Sequence, residues 1–112
     1  MTTNNIYNSI EDFNSFLETN SAVLVYFSTN SCSVGEALEP KVESLMADSF
    51  PKIKFISVDL NSNPKIAANF NAFVEPTILI FFEGKETIRR SRNISIFELK
   101  EAIKRPYQLI FE

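Results

Sequence analysis

The chain has no histidine and no tryptophan, a single cysteine and only two glycines. Without histidine there is no Ser-His or Cys-His nucleophile pair and no imidazole ligand for a metal. One cysteine cannot close an internal disulfide or build a multi-cysteine metal site. No metal and no cofactor are therefore expected, and any redox chemistry must run through one thiol and an external partner. With glycine only at Gly35 and Gly84, the loops should be short and stiff. No apolar run approaches the roughly 20 residues of a membrane span. The start, MTTNNIYNSIEDF, lacks the basic-then-apolar order of a signal peptide. The expectation is a cytoplasmic protein with no membrane partner. A net charge of −3 gives no basic footprint for nucleic acid.

What the chain does have is material for a core. Of its 112 residues 45% are apolar, eleven of them phenylalanine, which suits one domain over residues 1–112. Ala22 to Phe27 (AVLVYF), Ile53 to Val58 and Thr77 to Phe82 (TILIFF) are apolar without alternation, as strands covered on both faces require. Residues 5–7 suggest a short first strand. Ser9 with Asp12 caps a helix carrying Ile10, Phe13, Phe16 and Leu17 at helical spacing. A second helix, from about Val34 to Phe50, aligns Val34, Leu38, Val42, Leu45 and Met46, with a kink expected at Pro40. Asn63-Pro64 opens a short helix reaching about Phe70, with Asn63 as its cap. Glu83-Gly84-Lys85 turns the chain into an antiparallel strand over 86–90. Ser95 and Glu98 open a last helix to about Lys104, and Pro106 ends it. The order β-α-β-α-β-α-β-β-α describes an α/β fold: parallel strands with crossover helices first, then a closing hairpin.

Four local patterns occur together. Phe27-Ser28-Thr29-Asn30-Ser31-Cys32-Ser33-Val34-Gly35-Glu36 is followed by Pro40. Val58-Asp59-Leu60-Asn61 follows the middle strand, Pro76-Thr77 opens the next, and Phe81-Phe82-Glu83-Gly84-Lys85 forms the turn. Their joint spacing resembles the thioredoxin family over essentially residues 5–105. The resemblance implies a thioredoxin-like three-layer α/β/α sandwich with a mixed central sheet and a cis bond before Pro76. It also implies a catalytic thiol at Cys32, in an active-site loop with Ser31, Ser33, Val34 and Gly35. The departures cluster at that face. Gly35 stands where the family has its second cysteine, Ser28 and Ser31 where it has tryptophans, and Ser33-Val34 where it has Gly-Pro. Tyr26 replaces a buried aspartate, and Arg92 replaces a glycine before the last helix. Without the second cysteine no internal thiolate can release a mixed disulfide, so a dithiol reductase cycle is excluded.

Cys32 sits just before a helix, where unpaired N–H groups favour a thiolate. Arg92 would add to that effect, whereas Glu36 and Glu75 would oppose it. Two readings stay open. Cys32 is an exposed nucleophile that exchanges with a protein or small-molecule thiol or disulfide and is released by an external thiol, as in a monothiol oxidoreductase. Alternatively it is a small buried hydrophobe, and the chain is a non-catalytic protein-binding module. Glu75, Pro76 and Arg92 would line the substrate groove; the plainer reading of Pro76 is a turn that orients the next strand. The C-G-F-S stretch of monothiol glutaredoxins is absent. Tyr26 reads as core. Arg89, Arg90 and Arg92 read as a solvated edge or as an anion site. The segment 106–112 is an apolar C-terminal extension in which Tyr107, Leu109 and Phe111 alternate. It is either packed on its own domain or an added strand giving a homodimer contact.

Overall fold

The computed structural model describes residues 10–29 and 33–111. The elements follow as α1 (Ile10–Thr19), β1 (Ala22–Ser28), α2 (Ser33–Ser49), β2 (Lys54–Asp59), α3 (Pro64–Asn69), β3 (Thr77–Phe82), β4 (Lys85–Ser91) and α4 (Ile96–Phe111). The strand expected at 5–7 and the Ser9 cap lie outside the described residues.

The strands form one mixed sheet in the order β2-β1-β3-β4. β1 runs parallel to β2 and antiparallel to β3, and β3 pairs antiparallel with β4. Every residue of β1 and β3 is buried. The pleat sends successive side chains to opposite faces, so one apolar run feeds two cores. Ala22, Leu24 and Tyr26 join Ile78, Ile80 and Phe82 beneath α2 and α4, with Val42, Met46, Leu99 and Ile103. Val23, Val25 and Phe27 join Leu79 and Phe81 on the other face, with Phe13 and Leu17 of α1 and Ile66 and Ala67 of α3. These are the three layers of an α/β/α sandwich.

The β3–β4 hairpin closes with Phe82 opposite Lys85, leaving the two-residue loop Glu83-Gly84. Both loop residues have positive φ, 54° and 82°. That is the handedness a two-residue hairpin needs to match the twist of its strands.

Two expectations are corrected. Asn63 precedes α3, but its side chain makes no capping bond. Its buried amide instead donates to the Asp59 carbonyl (3.1 Å), within the turn where the Asn63 backbone N–H also reaches that oxygen (3.0 Å). Pro106 does not end the last helix: α4 continues through it to Phe111, so the tail is helical and not strand-like. Proline inside a helix costs about 3 kcal/mol. Tertiary packing outweighs this. Tyr107 is buried, with ring centroids 5.0 Å from Phe50 and 4.9 Å from Phe111. Its hydroxyl accepts a hydrogen bond from the Lys52 backbone N–H (3.2 Å). Ile110 and Phe111 pack part-buried on the same core. One buried aromatic side chain contributes about 1.5–3 kcal/mol, and the two partly buried neighbours supply the remainder.

Candidate functional site

The residues expected at the site lie at the end of the sheet where β1 leaves Ser28 and β3 begins at Thr77. Ser28 is buried, and its carbonyl accepts from the Leu60 N–H (3.0 Å), which ties the end of β1 to the turn after β2. The Glu75–Pro76 peptide bond is cis. Pro76 is buried and Glu75 half-buried. The turn is held from both sides. Thr77 Oγ1 donates to the Val74 carbonyl and lies 3.2 Å from the Ser91 hydroxyl. The Arg92 N–H donates to the Pro76 carbonyl (3.0 Å).

Glu75 reaches across to the end of β1. Its Oε2 accepts from the Thr29 backbone N–H (2.5 Å) and from Thr29 Oγ1 (2.7 Å). Both are charge-assisted bonds to one oxygen. They join the residue before Pro76 to the segment that leads to Cys32. Sequence reading missed Thr29: the partners are 46 positions apart and no periodic signal connects them.

Of the residues expected at the site, Glu75, Pro76 and Arg92 come together around one turn. Arg92 is exposed and holds φ of +62°. This left-handed conformation is one that non-glycine residues adopt at a cost of about 1 kcal/mol or more. Ser33, Val34 and Gly35 form the first turn of α2. Cys32 and Ser31 lie outside the described residues. Tyr26 is fully buried and stacks on Phe55 at 6.3 Å, a core position.

The arginines divide by role. Arg89 pairs with Glu86 (2.9 Å) and donates to the Phe70 carbonyl (2.6 Å), so it staples β4 to the end of α3. The Glu86 hydrogen bond, before any other influence, raises its pKa further. Arg90 is exposed and donates to the Arg89 carbonyl (2.8 Å).

A second carboxyl lies under α2. Glu39 is half-buried and hydrogen-bonds Ser57 of β2, the register partner of Tyr26. Desolvation raises its pKa; the Ser57 bond works against that and neighbouring Glu43 adds to it. The signal available in the sequence was Ser57 itself, a lone hydroxyl inside the apolar strand FISV.

Among the described residues no helix is long and apolar enough to cross a membrane. The Thioredoxin family model matches residues 5–105. The chain is 28% identical over 101 residues to the thioredoxin-like protein YdfQ of Bacillus subtilis, covering 90% of this chain and 89% of that one. It is 34% identical over 86 residues to thioredoxin-2 of Pyricularia oryzae, covering 77% of this chain but only 49% of that protein. Among solved structures, thioredoxin 1 of Thermosipho africanus superposes with a TM-score of 0.71 at 30% identity, covering 78% of this chain and 96% of the other.

Proposed function

Since the chain belongs to the thioredoxin family, we propose that it carries out thiol–disulfide exchange through Cys32 alone, with an external thiol completing the cycle. The observation that carries this reading is the place of the chain's one cysteine: Cys32 immediately precedes Ser33, the first residue of α2. Unpaired N–H groups at a helix start stabilise a thiolate, the reactive form. The cycle has three steps. The Cys32 thiolate attacks one sulfur of a partner disulfide, forming a new S–S bond and releasing the other sulfur as a thiolate that takes up a proton. An external thiolate then attacks the Cys32 sulfur of the mixed disulfide and releases the partner's remaining sulfur as a thiolate, and a second external thiolate displaces Cys32 as its thiolate, leaving an external disulfide. Two external thiols are oxidised for each disulfide reduced.

The Glu75–Pro76 turn would seat the partner's extended segment by main-chain pairing, with Arg92 on its other side. A non-catalytic binding module is the second reading, favoured by the loss of the resolving cysteine to Gly35 and by Tyr26 as plain core. The test is mass spectrometry of the protein with a disulfide-bonded peptide, with and without added glutathione. The expected result is a 1:1 mixed disulfide that turns over only when glutathione is present, and neither event in Cys32→Ser. No adduct from the native chain, or equal turnover by Cys32→Ser, would sink the redox reading. A Cys32→Ser protein that retains a partner the native chain also holds without exchange would support the binding module.

A further inference from the structure

β4 lies at an edge of the sheet, with β3 as its one neighbour among the described strands. Antiparallel pairing turns alternate residues toward the neighbouring strand and away from it. The Arg92 N–H donates to the Pro76 carbonyl, on the β3 side. Ser91 and Arg89, one and three positions back, therefore aim their backbone groups outward. The Arg89 carbonyl bears this out: it accepts from Arg90 Nη1 (2.8 Å), a side chain folded back over the strand edge. Arg89 itself is fixed, because its own guanidinium is held by Glu86 and by the Phe70 carbonyl. Toward the hairpin the ladder is interrupted. Ile80 pairs with Ile88 but Phe81 with Glu86, which leaves Thr87 as an extra residue. What remains of the edge is short and rigid. It has outward N–H groups at Arg89 and Ser91, and the Arg89 carbonyl is covered by Arg90.

The charge around this stretch has one sign. Glu86 is spent on Arg89, whereas Arg90 and Arg92 are exposed and form no ion pair among the described residues. The chain as a whole carries −3, so the attraction for an acid is local to this edge.

We propose that residues 89–91 of β4 are a strand-addition site for an extended acidic peptide segment, gated by Arg90. A carboxylate on the incoming segment draws the Arg90 guanidinium away, because a charge-assisted bond to an anion is stronger than one to a neutral carbonyl. The Arg89 carbonyl is then free to accept a main-chain N–H, and main-chain pairing adds a strand. A neutral segment must break the Arg90 bond with nothing in return. The site is separate from the thiol and stands or falls without it.

The test uses two sulfur-free hexapeptides that alternate valine with glutamate or with glutamine. Their binding to the full chain is measured by fluorescence anisotropy at low salt. The glutamate peptide should bind about threefold to tenfold tighter, the range of one or two exposed ion pairs. At saturation, amide exchange followed by NMR should slow at Arg89 and Ser91, whose N–H groups gain partners. Methylating the peptide's backbone nitrogens should abolish binding. Arg90→Ala separates a gate from a plain charge: it should weaken the glutamate peptide, strengthen the glutamine peptide and bring their ratio close to one. Arg90→Gln keeps a donor for the Arg89 carbonyl, so it should weaken the glutamate peptide without strengthening the other. Equal binding of the two peptides, tolerance of backbone methylation, or unchanged exchange at Arg89 and Ser91 overturns the proposal. An Arg90→Ala protein that gains nothing for the glutamine peptide overturns the gate. A second copy of the chain occupying β4, seen as a dimer in sedimentation that the glutamate peptide does not dissociate, overturns the choice of partner.

Discussion

Replacing Tyr107 tests whether the end of α4 is core or appendage. The ring is buried between Phe50 and Phe111, and its hydroxyl takes the Lys52 N–H. Tyr107→Phe keeps the ring and strands that N–H, a loss of about 1 kcal/mol. Tyr107→Ala also deletes the ring and leaves a cavity, about 3–5 kcal/mol by analogy with other buried aromatics. At about 2.1 cal/mol/K per residue, 112 residues give an unfolding entropy of about 0.24 kcal/mol/K. One kcal/mol then corresponds to about 4 °C in Tm. The expected losses are about 4 °C for Tyr107→Phe and about 13–21 °C for Tyr107→Ala. Leu109→Ala is the control: Leu109 lies on the same helix but is 73% exposed, and its loss should stay within about 0.5 kcal/mol. Thermal unfolding by circular dichroism, checked by urea titration, reads all three. If Tyr107→Ala falls by less than about 4 °C, or no further than Leu109→Ala, the packing argument for a helix continuing through Pro106 is wrong.

Two more predictions follow from other elements. Because burial raises the Glu39 pKa, the folded state holds that proton more tightly than the unfolded chain does. The resulting stability is full below the ordinary carboxylate range and is lost as pH rises through the elevated folded value. Glu39→Gln should therefore gain on the native protein as the urea midpoint is followed from about pH 4 to pH 7; a native advantage that grows over that span would refute the sign. Gly84→Ala should cost about 1 kcal/mol through its left-handed φ of +82°. The added Cβ would sit 3.4 Å from Glu18 Cγ, the movable side chain of an exposed residue, so no large clash adds to this. Substituting Gly84 with asparagine, which tolerates that conformation, should recover part of the loss in the same unfolding assay.

The sheet was legible because its strands obey a rule that survives without context. A run such as AVLVYF has no polar side, and β1 is buried at every position. The hairpin turn was legible for a similar reason, since Gly84 is one of two glycines and stands between two strand-like runs. Pro106 misled because a local rule met a larger tertiary term. What holds the helix together beyond it is Phe50 and Lys52, more than 50 positions upstream, with the Lys52–Tyr107 bond spanning 55. The Asn63 cap failed for the opposite reason: its amide is drawn into a turn only four residues away, which competes with the helix end for the same side chain. At the candidate site the residue types were visible and their partners were not. Glu75 reads as an isolated acid until the fold brings Thr29 to it.

The departures from the family pattern do not simply erase a site; they change which groups the frame offers. Tyr26 places a phenol and no carboxyl on β1, yet Ser57, its register partner, bonds the Glu39 carboxyl of α2. A carboxyl with an elevated pKa thus lies against the same part of the sheet, supplied by the helix layer that packs on Tyr26. At the Pro76 turn, the side chain before the proline is an acceptor braced by Thr29. On the other side Arg92 holds a left-handed backbone, and its N–H donates to the Pro76 carbonyl. These braces fix the backbone on both sides of Pro76, which is the physical reason to test partner binding at this turn alongside the thiol.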